Sequence, residues 1–232
     1  MPNAPSIWKR HERSHDGAHR RHESAKVGWL RGARVQVHSP EEIVDESAAM
    51  IRIVGGTARG RGLSVPSRGT RPTSDQAREA LFNTLTGLIE LTGADVLDLY
   101  AGTGAVGLEA LSRGAGTATL VESDPAVLSV LRSNVSAITP DRAHVVARSV
   151  PAYLAQRPVL DLIRFAFLDP PYALPESALE SVLAQLADLL PTEAVVVVER
   201  GARGVPLTWP TVIESIKQKR YGDGVLWYGR RK

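Results

Sequence analysis

The sequence predicts an α/β chain, a mostly parallel sheet with helices on both faces, entered through a small N-terminal arm. Three observations predict it. Past Gly93, short apolar runs alternate with segments of helical periodicity. The first of these runs leads into a glycine-rich turn that opens a helix. The final stretch, Val212 to Tyr228, reads as two strands around Gly222-Asp223-Gly224.

Residues 1–49 stand apart from the rest. They carry five of the six histidines, eight basic and seven acidic residues, and few large apolar side chains in periodic order. Such a segment buries too little apolar surface to offset its ordering entropy, so composition predicts an extension without a core. His11, His15, His19 and His22 stand at helical spacings, but a histidine-rich tract alone does not make a metal site. From Ile51 the pattern changes. Ile51, Ile53, Leu63 and Val65 flank a Gly/Arg segment and predict a hairpin or extended arm. Thr73 or Ser74 then caps a helix carried by Ala77, Ala80, Leu81, Leu85 and Leu88.

Strand and helix then alternate. The predicted order is strand Ala94–Tyr100, helix Gly107–Arg113, strand Thr117–Val121 and helix Pro125–Ile138, with Pro125 in its first turn. A short strand at Val145–Val146 and a short helix Val150–Gln156 follow. Strand Phe165–Leu168, helix Pro175–Leu190 and strand Ala194–Val198 precede the final hairpin. Domain boundaries are placed at 1–49 for the extension, 50–92 for the arm and its helix, and 93–232 for the main domain.

Composition excludes several classes. The chain has no cysteine, so disulfides and thiolate metal sites are absent, and a reducing, cytoplasmic setting is expected. No apolar run is long enough to span a bilayer, and the N-terminus lacks an apolar signal core. The net charge of +3 is unevenly spread. Six arginines (Arg52, Arg59, Arg61, Arg68, Arg71, Arg78) face one acid, Asp75, between residues 52 and 78. Between residues 200 and 232, eight Lys/Arg face Glu214 and Asp223. Two basic ends around an acidic middle suit a nucleic acid partner, although solvated surface arginines would give the same pattern.

The segment Asp98-Leu-Tyr-Ala-Gly102-Thr-Gly104-Ala-Val-Gly107 joins a strand to a helix, where glycine permits a sharp turn and close approach of a ligand. Glu122 ends the next strand, where a carboxylate can accept both hydroxyls of a ribose. This much fits a nicotinamide dinucleotide as well as S-adenosylmethionine. Asp98 tips the balance: beside the turn it would repel a pyrophosphate but help hold a cationic amino-acid tail.

Asp169-Pro170-Pro171-Tyr172 follows the apolar run Phe165–Leu168. Pro-Pro ends a strand rigidly and donates no N–H, leaving carbonyls free. Asp169 and the Pro170 carbonyl can both accept from one amino group, and Tyr172 offers a face for a base. An aryl amine is a poor nucleophile because its lone pair is delocalised into the ring. Two acceptors favour its pyramidal form and aim the lone pair at an electrophilic methyl.

On these residues the sequence resembles class I S-adenosylmethionine methyltransferases that modify exocyclic amines. It is similar to the RsmD family, which methylates guanine N2 in 16S ribosomal RNA. The match lies in Arg52–Pro66 and Arg71–Asn83, in Asp98–Arg113 with Val121–Asp124, and in Asp169–Tyr172. The resemblance implies a Rossmann-like, seven-stranded sheet whose last strand is antiparallel. It implies S-adenosyl-L-methionine bound by Asp98, Tyr100, Ala101, Gly102, Gly104, Glu122, Ser123 and Asp169, with Arg71 and Thr73 near its methionine end. It also implies an arm that holds 16S rRNA, within the small ribosomal subunit or an assembly intermediate. Arg59, Arg61, Arg68, Arg71 and Arg78 are the candidate RNA contacts. Where many such enzymes place an acid or amide near the adenine, this chain has Arg148-Ser149, and Ser149 takes that role. The catalytic residues implied are Asp169, Pro170 and Tyr172, in a monomer with no metal.

Three alternatives remain open at this stage. A DNA adenine-N6 or cytosine-N4 methyltransferase uses the same tetrapeptide chemistry but needs a target-recognition domain for which there is little room. A non-catalytic ribosome assembly factor would keep the cofactor and RNA surfaces without needing Asp169 or Tyr172. An NAD(P)-dependent oxidoreductase would share only the glycine turn.

Overall fold

The computed structural model describes residues 51–66 and 74–232. The expectations for residues 1–50 and for Arg68, Arg71 and Thr73 concern residues outside that range. Strands β1 (Ile51–Arg52) and β2 (Gly62–Leu63) form the predicted arm hairpin, antiparallel with Ile51 opposite Leu63. Helix α1 (Asp75–Leu85) follows, capped by the Ser74 side chain accepting from the Ala77 N–H.

The main sheet has seven strands. Five are parallel: β3 (Asp95–Leu99), β4 (Thr117–Glu122), β5 (Ala143–Ala147), β6 (Ile163–Leu168) and β7 (Val195–Gly201). The chain ends in β8 (Ile213–Tyr221) and β9 (Gly224–Arg231), and β9 runs antiparallel between β7 and β8. The spatial order β5-β4-β3-β6-β7-β9-β8 is the expected Rossmann-like topology with its last strand antiparallel. Helices α2 (Ala105–Ser112), α3 (Pro125–Ile138), α4 (Val150–Leu154) and α5 (Glu176–Leu189) make the crossovers.

Apolar residues on both sheet faces build two cores. Val96, Phe165, Phe167, Val195 and Val197 face α1, α2, α3 and the arm, whereas Leu97, Leu99, Ala166, Leu168, Val196 and Val198 face α4 and α5. Adjacent residues of a strand point to opposite faces, so these near-continuous apolar runs are what a sheet covered on both sides requires. Ile51, Ile53 and Leu63 of the arm belong to the first core.

Several boundaries moved for identifiable reasons. Helix α2 starts at Ala105 rather than Gly107, because Gly104 (φ +79°) closes the turn. Strand β5 covers Ala143–Ala147 rather than two valines because all five residues pair with β4. Strand β7 continues to Gly201 because β9 supplies a partner that far.

The arm lies where the sequence could not place it. Thr57 N and Ala58 N donate to the carbonyl and side chain of Ser112, each at 2.8 Å, at the C-terminal end of α2. A Cβ on Gly56 would fall 1.9 Å from the Ser112 carbonyl oxygen, so glycine is required there. Arg61 donates to the Ala137 carbonyl in the last turn of α3 at 2.5 Å. A 14-residue helix spans about 20 Å, so the turn bearing Arg59 and Arg61 sits at the far end of α3 from its N-terminus.

Candidate active site

The strand order reverses at β3, with β4 and β5 on one side and β6 and β7 on the other, and a cleft of about 610 Å³ opens at the strand ends there. A crevice at such a switch point is where open α/β sheets bind ligands. Its walls are the glycine turn, the start of α1, the Asp169–Tyr172 segment and the β8–β9 turn.

On the β3–β4 side, two carboxylates organise the backbone. Asp98 is almost wholly buried and accepts the Gly107 N–H at 3.0 Å, satisfying a donor of the first turn of α2 that has no partner within the helix. Burial pushes its carboxyl up to about 7 against the opposing Gly107 bond, and the nearby Glu122 charge adds to the rise. Glu122 accepts the Gly102 N–H at 3.0 Å with one oxygen and the Ser123 and Asp124 N–H groups at 2.6 and 2.9 Å with the other. It thus ties the glycine turn to the start of α3. Tyr100 takes φ +64°, a conformation costing a non-glycine residue roughly 1–3 kcal/mol, and the strain is stored at the cleft wall. Gly102 (φ +57°) leaves open space where a side chain would begin.

On the β6–β7 side, Asp169 donates its backbone N–H to the Leu99 carbonyl at 3.4 Å. Its carboxyl is held well above the usual carboxylate range by burial, then by the charges of Glu199 and Asp98, with Arg200 opposing. Arg200 itself is ion-paired to Glu176 at the start of α5. Pro170 is buried, and Tyr172 is 72% exposed. The Tyr172 ring lies over Gly201, where an added Cβ would come within 3.0 Å of its Cε1.

The structure brings together Asp98, Tyr100, Ala101, Gly102, Glu122, Ser123, Asp169, Pro170 and Tyr172 around one cleft. Gly104 caps α2 just behind it, packed on Leu131. Ser149 is not on its wall: it caps α4, accepting from Ala152 N at 3.4 Å. The cap uses one lone pair of its hydroxyl and leaves the O–H free to donate, but the structure does not bring Ser149 to the cleft wall with the other expected residues. Arg78 also departs from expectation as an RNA contact. Its side chain is fully buried, bonded to Glu109 at 3.3 Å and to Asp75 and the Arg52 carbonyl at 2.6 Å each. A guanidinium with no exposed surface, held by the buried Glu109 carboxylate, does not reach phosphate. Arg59 and Arg61 are exposed but lie at the remote end of α2 and α3.

Among the parts of the wall that escaped the sequence reading are Gln76 on α1, the turn Tyr221–Gly224 and Glu199. A signal for Glu199 existed. It follows the apolar run Ala194–Val198 as Asp169 follows Phe165–Leu168, a carboxylate placed immediately after a buried strand in both cases.

Comparison with known proteins agrees with this geometry. Residues 51–230 match the family described as conserved hypothetical protein 95. Ribosomal RNA small subunit methyltransferase D of Escherichia coli K12 is 43% identical over 176 residues, covering 73% of this chain and 86% of that protein. Its Haemophilus influenzae counterpart is 37% identical over 180 residues, covering 74% and 89%. Among solved structures, an Escherichia coli chain provisionally described as a methyltransferase superposes with a TM-score of 0.69 at 37% identity, covering 79% of this chain and 98% of that one. A Thermus thermophilus protein described as hypothetical gives 0.62 at 34% identity, covering 77% and 98%. By the extent and identity of these matches, the chain belongs to the family of ribosomal RNA small subunit methyltransferase D.

Proposed function

We propose that this protein transfers a methyl group from S-adenosylmethionine to the exocyclic N2 amine of a guanine in 16S ribosomal RNA. The observation that carries the reading is the pair of acceptors at the end of β6: the Asp169 carboxylate and the rigidly held Pro170 carbonyl, beside the exposed Tyr172 ring. They stand next to a nucleoside-type turn on β3, in a chain whose relatives are named for rRNA methylation.

The residues present fit the cofactor. Glu122 has both oxygens at the mouth of the turn, suited to a ribose diol, and Gly102 permits close approach. Asp98, buried and held near neutrality, is stabilised as a carboxylate when a cationic ammonium enters beside it. When bound, the cofactor would supply an electrophilic methyl on a cationic sulfur, and the methyl–sulfur bond would break with its electron pair staying on sulfur as a neutral thioether. Tyr172 receives the base splayed from its stack. Asp169 and the Pro170 carbonyl accept the two amine hydrogens and turn the nitrogen lone pair toward the methyl. As the N–C bond forms, the amine loses one proton, and Asp169, whose raised proton affinity suits it as a base, takes it.

For RNA, exposed cations among the described residues approach the cleft along β8. Lys217, Lys219 and Arg220 climb an exposed edge strand toward the turn Tyr221–Gly224, which lines the cleft. They are the stronger candidates for phosphate contacts beside the target base, with Arg59 and Arg61 as outlying ones about a helix length away.

The test is transfer of labelled methyl to unmodified small subunits, protein-free 16S RNA and duplex DNA in parallel. Label on guanine N2 of RNA or subunits is expected, falling at least about 10³-fold in Asp169→Ala while cofactor affinity stays within a few-fold. Label on DNA alone would replace this reading with a DNA amine methyltransferase. Tight cofactor binding with no label on any substrate would favour an assembly factor.

A further inference from the structure

Asp169 has a neighbour that the amine-binding pair does not use. In the parallel pairing of β6 with β7, Leu168 lies opposite Val198, so Asp169 and Glu199 occupy the next level of the same two strands. Neighbouring parallel strands are about 4.8 Å apart and equivalent residues point to one face, so the carboxylates stand side by side. Both line the cleft, and the Glu199 charge is a leading cause of the raised proton affinity of Asp169.

The order across the sheet assigns Glu199 to one half of the site. Glu122 ends β4, Asp98 lies in β3, Asp169 follows β6 and Glu199 lies in β7, in the spatial order of those strands. Glu199 is therefore beyond Asp169 as seen from the cofactor carboxylates. It is also on the side of the aromatic platform: Gly201, two residues along the same strand face, carries the Tyr172 ring. The β8–β9 turn closes over it, since a Cβ on Gly224 would come 3.1 Å from Glu199 Oε1. A base stacked on Tyr172 with its amine at Asp169 would present the adjacent position of its edge to Glu199.

That adjacent position distinguishes the amine-bearing bases. Guanine N2 has N1–H, a donor, on one side. Adenine N6 and cytosine N4 are flanked instead by a bare ring nitrogen, N1 or N3, an acceptor. A carboxylate facing N1–H gains a charge-assisted hydrogen bond, and facing a ring lone pair it meets repulsion with no donor between. We infer that Glu199 is the specificity-determining residue of the site, accepting the N1–H of the target purine and so admitting guanine while rejecting adenine and cytosine. The inference rests on the amine-methylation reading above and names the feature of the substrate that the site selects.

The experiment replaces the target guanine of a short substrate RNA by 2-aminopurine, which keeps the exocyclic amine but has a bare N1. Wild-type protein and Glu199→Gln are compared on both RNAs, with cofactor affinity measured by calorimetry as a check on folding. Wild-type protein is expected to prefer guanine by at least about 100-fold in kcat/KM, as sites built around a buried hydrogen bond do. In Glu199→Gln, whose amide can donate as well as accept, that preference should fall to within about ten-fold, with cofactor affinity unchanged within a few-fold. The pH profile of kcat should also move to lower pH, because Asp169 loses the neighbouring negative charge.

A wild-type enzyme that methylates both RNAs equally overturns the inference whatever the variant does. So does a Glu199→Gln enzyme that keeps the full preference for guanine. A wild-type enzyme that labels neither RNA nor any subunit overturns the methylation reading along with it, which separates the two failures.

Discussion

Two groups of buried charge lie within this fold, and they are built on opposite principles. Between α1, α2 and the arm, Arg78 and Glu109 are both fully buried, and the network is matched: Arg78 also bonds Asp75, and Arg113 bonds Glu109 at 2.7 Å. Glu109 further accepts the Val54 N–H, and Arg113 lies over the Phe82 ring at 4.8 Å. In the cleft, Asp98 and Asp169 are desolvated close to other acids, and their proton affinities rise accordingly. Matched charges fix the arm and α1 to the core, whereas in the cleft desolvation and neighbouring acids raise the proton affinity of Asp98 and Asp169. Buried ionisable groups therefore mark structure or function according to their partners.

The largest expected effect breaks the matched set. Arg78→Ala leaves the buried Glu109 with one cation fewer and should lower unfolding free energy by about 3–5 kcal/mol, measured by urea denaturation. A loss below about 1 kcal/mol would mean the network is dispensable.

The cleft should respond with the opposite sign. Asp98 has a folded-state pKa raised above its unfolded value, so folding binds a proton there. The resulting stability is fully present below about pH 4 and is lost as pH rises through about 7. Asp98→Asn should consequently stabilise the cofactor-free protein by up to about 2–3 kcal/mol at pH 8, and by little at pH 4. The same substitution should weaken cofactor binding and remove its tightening between pH 6 and 8. Equal melting shifts at both pH values would contradict the raised proton affinity.

Asn134 offers an intermediate case, polar but uncharged. It accepts the Ser64 N–H at 2.9 Å and donates to the Ser64 and Thr103 carbonyls at 3.0 Å, joining the arm to the glycine turn. Asn134→Ala should cost about 1–3 kcal/mol by orphaning these groups. Its Asp variant would test whether the cost comes from the lost donor.

The smallest expected effect concerns the remote turn. Arg59→Ala with Arg61→Ala should cost no more than about 1 kcal/mol, since both are exposed and only the Arg61 bond to the Ala137 carbonyl is lost. If they touch phosphate, the salt dependence of RNA binding should weaken by roughly one in slope per residue. Arg220→Ala should instead lower kcat/KM, because it borders the cleft. The reverse pattern would return the principal RNA contact to the arm.

Much of this site was legible before the fold. The glycine turn with Asp98 and Glu122, and the segment Asp169–Tyr172, are local in sequence, and strand-turn-helix continuity carries them to one edge of a parallel sheet. Arg78 departs from its expected role for a reason that no local pattern carries. Arginine is a residue type that binds phosphate well, yet this one is held by Glu109 inside the protein. An ion-pair partner 31 residues away leaves no local trace, whereas the Ser149 cap on α4 reaches only three residues along the chain.

The sequence by itself determined the order of elements, the two-sided burial of the strands and the cofactor turn, because periodicity, glycine geometry and short-range spacing act through neighbours along the chain. Tertiary structure alone decided the rest. It carried the arm turn to the far end of α3, turned Arg78 inward, and set the β8–β9 turn and Glu199 beside Asp169. Those placements depend on which strands become neighbours and on which charges lose water, and both are settled only when distant segments pack together.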